Sequence, residues 1–193
     1  MTSVHAPVIG REYIMYLISV YFDDQTNKVL GRYIDKISEI TGNHFMTDNH
    51  VPPHMTISSI EARSGDLLLP HMKELVTDLS GGQVAFVSIG ALLPYVLYVT
   101  PVLNQYLQEL SGRIYDAVKD VPETTVSRFY QPMQWLPHVT LGKKLDRDQM
   151  QTAFALMQER FIPFDGEVVS VGLAKTNPHE DIFRVDLKGA GVL

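Results

Sequence analysis

Apolar residues along this chain recur with two different periods, and the switches between them mark out strands and helices. From Tyr13 to Phe22 the run is aromatic and β-branched and stops at Asp23-Asp24, which predicts a buried strand. Val29, Leu30, Tyr33, Ile34, Ile37 and Ile40 then recur at steps of three and four, with Gly42 where a helix C-cap belongs. Met55 to Ile60 reads as a second strand. Leu68, Leu69, Met72, Leu75, Val76 and Leu79 mark a second helix ended by Gly81-Gly82, and Val84 to Ile89 is a third strand.

After Pro94 the same order returns. Tyr95 to Thr100 is a strand, and Val102, Leu103, Tyr106, Leu107, Leu110, Ile114 and Val118 form a helical stripe. Val139 to Leu141 lies in a strand. Asp146 is a plausible N-cap for a helix carrying Met150, Ala153, Phe154, Met157 and Phe161, and Val168 to Ala174 with Ile182 to Leu187 make a closing strand pair. Corresponding landmarks in the two series (Tyr13 and Tyr95, His54 and His138, Leu68 and Met150) lie 82 to 84 residues apart. The expected architecture is therefore a duplicated α+β fold, one domain over 1–193 with like lobes at roughly 11–91 and 92–188. A parallel, doubly wound sheet would give the same alternation, but no glycine-rich phosphate fingerprint follows any strand.

Composition narrows the chemistry. With 193 residues, 45% hydrophobic and 20% charged, the chain is long and apolar enough to bury a substantial core, which excludes disorder as its main character. It has no cysteine, so disulfides, thiolate metal sites and cysteine nucleophiles are excluded, and a cytoplasmic setting is expected. A formal charge of −6 gives no basis for broad binding to duplex nucleic acid. Met1 to Arg11 carries no secretory signal pattern. Residues 85–103 lack charge and are long enough to cross a bilayer. Pro94 and Pro101 interrupt them, however, and two buried strands joined near Pro94 are expected instead of a membrane span.

The most informative motif is a pentapeptide present twice at equivalent places, Pro53-His54-Met55-Thr56-Ile57 and Pro137-His138-Val139-Thr140-Leu141. In a strand, residues i and i+2 share a face, so each His is paired with its own Thr while Met55, Ile57, Val139 and Leu141 turn to the core. If the lobes are related by a pseudo-twofold axis, four polar side chains converge on one cleft. Two imidazoles across a cleft suit phosphoester chemistry, because near neutral pH one can be neutral and act as base while the other is protonated and acts as acid. The Thr hydroxyls would donate to non-bridging phosphate oxygens. This arrangement needs no metal or other cofactor.

On those two motifs the chain resembles the 2H phosphoesterases, named for paired His-x-Thr/Ser motifs, which include the proteins called 2′-5′ RNA ligases and RNA 2′,3′-cyclic phosphodiesterases. The resemblance implies a bilobal duplicated fold of antiparallel sheets and helices around a central groove. It also implies metal-independent chemistry at a 2′-linked or cyclic phosphate, with His54, Thr56, His138 and Thr140 catalytic. A nucleotide or RNA end is the expected substrate and a monomer the expected state. A non-catalytic nucleotide-binding module using the same groove is the alternative.

Arg128, Phe129, Tyr130 and Trp135 form an aromatic and basic cluster upstream of the second motif. Tyr130 or Trp135 would suit base stacking and Arg128 a phosphate, whereas Phe129 is expected in the core and Trp135 could serve either way. His50 and His54 have i, i+4 spacing, but Pro52 and Pro53 between them rule out a helical metal site, and His44 to Pro53 reads as an exposed loop.

Overall fold

Asp23 ends the first strand and begins the first helix. The computed structural model of the protein describes residues 13–176 and 180–189, so the Met1 to Arg11 expectation lies outside the described residues. Strand β1 spans Ile14–Phe22, and the Asp23 carboxylate then accepts from the backbone N–H groups of Gln25 and Thr26 to cap α1, Asp24–Thr41. That helix ends at Gly42, whose φ of 67° is the left-handed conformation glycine adopts without strain. The remaining elements are α2 Phe45–Asp48, β2 His54–Ala62, α3 Leu69–Leu75, β3 Gly82–Leu92, β4 Val96–Pro101, α4 Gln105–Val118, β5 Thr124–Val126, β6 Val139–Gly142, α5 Arg147–Arg160, β7 Phe164–Lys175 and β8 Glu180–Asp186. Asp146 and Gln149 form a full capping box on α5.

Several boundaries differ from the sequence reading. The expected helix from Leu68 to Leu79 stops at Leu75, because the Thr77 N–H and hydroxyl both turn back to the Glu74 carbonyl and close the turn. Helix α4 starts at Gln105, where the Asn104 side chain caps it, and leaves Val102 exposed in the preceding loop. The loop from His44 to Pro53 contains the single turn α2, tied to α1 by a 2.8 Å hydrogen bond between Ser38 Oγ and His44 Nδ1. Strand β5, three β-branched residues pairing with the end of β2, is too short for periodicity to reveal.

All named strands pair antiparallel. The path β1-β2-β6-β4-β3-β7 returns to β1 and forms a closed ring, with β8 added outside β7. Exchanging β1 with β4, β2 with β6 and β3 with β7 maps every pairing of that ring onto another one. β1–β2 becomes β4–β6, β1–β7 becomes β4–β3, and the β2–β6 and β3–β7 junctions map onto themselves. The halves thus interleave, because the third strand of each half pairs with the first strand of the other. The β2–β6 junction is a single residue pair, Met55 opposite Val139. One ring face carries fully buried Val20, Met55, Val99, Val139 and Val171 and belongs to the core with Leu30, Ile34 and Ile37 of α1 and Leu107, Leu110 and Ile114 of α4. No helix among the described residues is long and apolar enough to cross a membrane.

Candidate active site

Met55 and Val139 are the third residues of the two pentapeptides, and their pairing brings the motifs together at the junction that the exchange leaves in place. Antiparallel geometry then sets His54 opposite Thr140 and Thr56 opposite His138, all four on the face away from the core. Directly opposite Cβ atoms in such a pair are about 5 Å apart and diagonal ones about 7–8 Å, so both imidazoles stand within reach of one phosphate.

The proline shared by the motifs has a visible consequence. A residue followed by proline is driven to extended backbone, and the carbonyl of that residue, Pro52 in one case and Leu136 in the other, lies 2.9 Å from the Nδ1 of the following histidine. A carbonyl only accepts, so Nδ1 carries the hydrogen in both rings and Nε2 is the basic nitrogen of each neutral imidazole. Each motif also ends in a β-bulge. The register shifts past Ile57 against β1 and past Leu141 against β4, the fifth residue of the pentapeptide both times. A bulge turns two successive residues to one side and aims the preceding pair.

The flanking strands extend the polar face. On β1, Ser19 pairs with Thr56 and Tyr21 with His54; on β4, Tyr98 pairs with Thr140. The Ser19 and Thr56 hydroxyls are 3.3 Å apart and share a hydrogen bond, and Thr100 donates to the Pro137 carbonyl at 2.7 Å. The Tyr21 ring lies 6.2 Å from the His54 ring and the Tyr98 ring 5.3 Å from that of His138, centre to centre. Burial lowers the pKa of His138, partly offset by its hydrogen bond to the Leu136 carbonyl. Burial also pushes the Tyr21 phenol up to about 12, with Asp181 adding to the rise and Arg184 opposing it.

Three comparisons bear on this arrangement. The profile of the 2′-5′ RNA ligase superfamily matches residues 28–180, most of the chain and both motifs. The chain belongs to that superfamily, the 2H phosphoesterases. Its fold is similar to that of Escherichia coli LigT complexed with 3′-AMP, at 12% identity and a TM-score of 0.62, covering 92% of this chain and 99% of LigT. A crystal structure described as a phosphoesterase matches with 12% identity and a TM-score of 0.61, covering 90% and 98%. LigT complexed with ATP matches at 14% identity and a TM-score of 0.57, covering 91% and 98%. No curated protein sequence matches the chain.

In this 2H phosphoesterase the cluster upstream of the second motif is distributed otherwise than its sequence suggests. Trp135 is 6% exposed, and its indole N–H donates to the Thr56 carbonyl at 3.0 Å. The ring is therefore core, not a stacking surface, and it satisfies a β2 carbonyl at the edge of the one-pair junction with β6. Phe129, expected in the core, is 65% exposed, with the Arg128 guanidinium 4.8 Å from its ring centre. Tyr130 is half-buried against the core, and its phenol pKa is raised by burial. Ser19, Tyr21, Tyr98 and Thr100 were not singled out from the sequence. Their signal was polar or hydroxylated residues at alternate positions in two otherwise apolar strands, legible only once those strands are known to flank the motifs. Among the described residues no three His, Asp or Glu side chains gather as a metal site. A cavity of about 850 Å³ between α1 and the end of α5, lined by Tyr33, Arg160 and Phe164 among others, contains no motif residue.

Proposed function

We propose that this superfamily member is a metal-independent phosphoesterase that opens 2′,3′-cyclic phosphates or cleaves 2′-5′ phosphodiesters of RNA ends or small nucleotides. The observation that carries this reading is the Met55–Val139 pairing, which sets two Nδ1-anchored imidazoles and two Thr hydroxyls on one face. Burial favours the neutral form of His138, which acts as the base. Its Nε2 takes a proton from water as the water oxygen bonds to phosphorus. The phosphorus–oxygen bond to the 2′ or 3′ oxygen breaks, and His54, protonated on Nε2, gives that oxygen its proton. Exchange with solvent restores both rings. Thr56 and Thr140 donate to the non-bridging oxygens, where negative charge grows in the transition state. Escherichia coli LigT is seen in complex with 3′-AMP, ATP and NADP+, which supports a nucleotide ligand here.

The test is a product-resolved screen of chelator-treated protein against 2′,3′-cyclic mononucleotides, cyclic-phosphate RNA ends and 2′-5′ dinucleotides. Turnover to a single phosphate isomer is expected. Binding without turnover of any of them would replace this reading with a nucleotide-binding module.

A further inference from the structure

The extra strand β8 breaks the ring's symmetry at one end of the site. In register, Arg184 of β8 lies opposite Gly172 of β7, Gly172 opposite Ser19, and Ser19 opposite Thr56. Arg184 therefore belongs to the same face as the motifs. Its guanidinium carbon stands 3.7 Å above the centre of the Tyr21 ring, and its Nε donates to Ser170 Oγ at 3.3 Å. Because the Tyr21 and His54 ring centres are 6.2 Å apart, the guanidinium is within about 10 Å of the His54 imidazole. Gly172 makes this stacking possible. A Cβ there would lie 2.8 Å from the Phe183 carbonyl oxygen and 3.2 Å from the Tyr21 ring. At the matching place in the other half, Gly90 is opposite Tyr98, and a Cβ there would meet the Tyr98 ring at 2.5 Å. One end of the site is thus an aromatic ring alone, and the other is an aromatic ring topped by a cation.

We propose that Arg184, steadied by Tyr21 and Ser170, is a second phosphate-binding position, so that the substrate class is a nucleotide or RNA end bearing another phosphate beside the reacting one. This rests on the function proposed above. A guanidinium held at its Nε keeps its terminal N–H groups as a fork for phosphate oxygens, and an aromatic face fixes its plane. None of the ion pairs among the described residues involves Arg184. Asp186 lies two residues further along β8 and the charge of Asp181 reaches the Tyr21 phenol, so this end would repel an anion without the arginine.

The experiment compares binding of adenosine 3′-monophosphate and adenosine 3′,5′-bisphosphate by calorimetry, in wild type, Arg184→Gln and Arg184→Lys. The ratio of the two affinities is the readout, so a general loss of binding cancels. In the wild type the second phosphate should tighten binding by about tenfold, the scale of a charge-assisted hydrogen-bonded pair. Arg184→Gln should bring the ratio to one or below, and Arg184→Lys should keep part of the gain. A wild-type ratio of one, or the same gain in Arg184→Gln, overturns the inference and leaves the proposed function standing. A wild type that binds neither ligand also overturns the inference, while the turnover screen decides the proposed function separately.

Discussion

The two motif strands share one frame and have different surroundings. In both, proline precedes histidine, the carbonyl two residues back holds Nδ1 at 2.9 Å, and a bulge follows the threonine. Around the first, β2 is nine residues long, Thr56 is 9% exposed and bonded to Ser19, and Tyr21 is buried beneath Arg184. Around the second, β6 has four residues, Thr140 is half-buried, and its cross-strand neighbour is Tyr98, packed over Gly90. Duplication preserves the backbone geometry that aims a side chain. The protonation state comes from what packs around the ring, so two like imidazoles in unlike settings can divide acid and base work.

The sharpest way to break this comparison is to remove each ring. His54→Ala and His138→Ala should each lower kcat on a 2′,3′-cyclic nucleotide by at least about 100-fold, and the double variant should lose far less than the product of the two. Full activity in either folded single variant would end the two-histidine mechanism. Next in size is the support under the junction. Trp135→Phe leaves the buried Thr56 carbonyl without its indole donor and should cost about 1–3 kcal/mol in urea unfolding. An unchanged midpoint would show that the β2–β6 pairing does not depend on that hydrogen bond.

The threonines test the asymmetry directly. Thr56→Ala and Thr140→Ala should each reduce kcat/KM by about tenfold, the scale of one hydrogen bond to a charged group. Ser19→Ala should add nothing in the Thr56→Ala background and should be additive with Thr140→Ala, because Ser19 bonds Thr56 and the equivalent β4 position holds Tyr98. Equal coupling to both threonines would erase the distinction.

The smallest effect is a pH shift. Burial depresses the folded pKa of His138 below the ordinary imidazole value of about 6.5. Between that depressed value and 6.5 the unfolded chain binds more protons than the folded one. The contribution of His138 to stability is therefore fully present above about 6.5 and is lost as pH falls through the folded pKa. As the base, it should also place the acidic limb of the kcat/KM profile below 6.5. An NMR titration of the His138 ring giving a midpoint at or above 6.5 would remove both expectations.

Much of the site was legible in the sequence because its requirements are local. A β-strand aims residues i and i+2 to one side, a preceding proline extends the backbone, and capping residues such as Asp23, Asp146 and Gly42 fix helix ends within a turn. The repeated pentapeptide therefore gave four residues that the fold places together, and apolar periodicity gave the major strands and helices. The Met55–Val139 pairing, the exchange of third strands between halves and the bulges at Ile57 and Leu141 are relations between segments far apart in the chain. Local pattern carries no information about which strand lies beside which. For the same reason only the tertiary structure decided that Trp135 faces the core while Phe129 faces solvent, and that Arg184, near the end of the chain, stands over Tyr21 at its beginning. A side chain's burial and charge environment are set by the neighbours that the whole sheet brings to it.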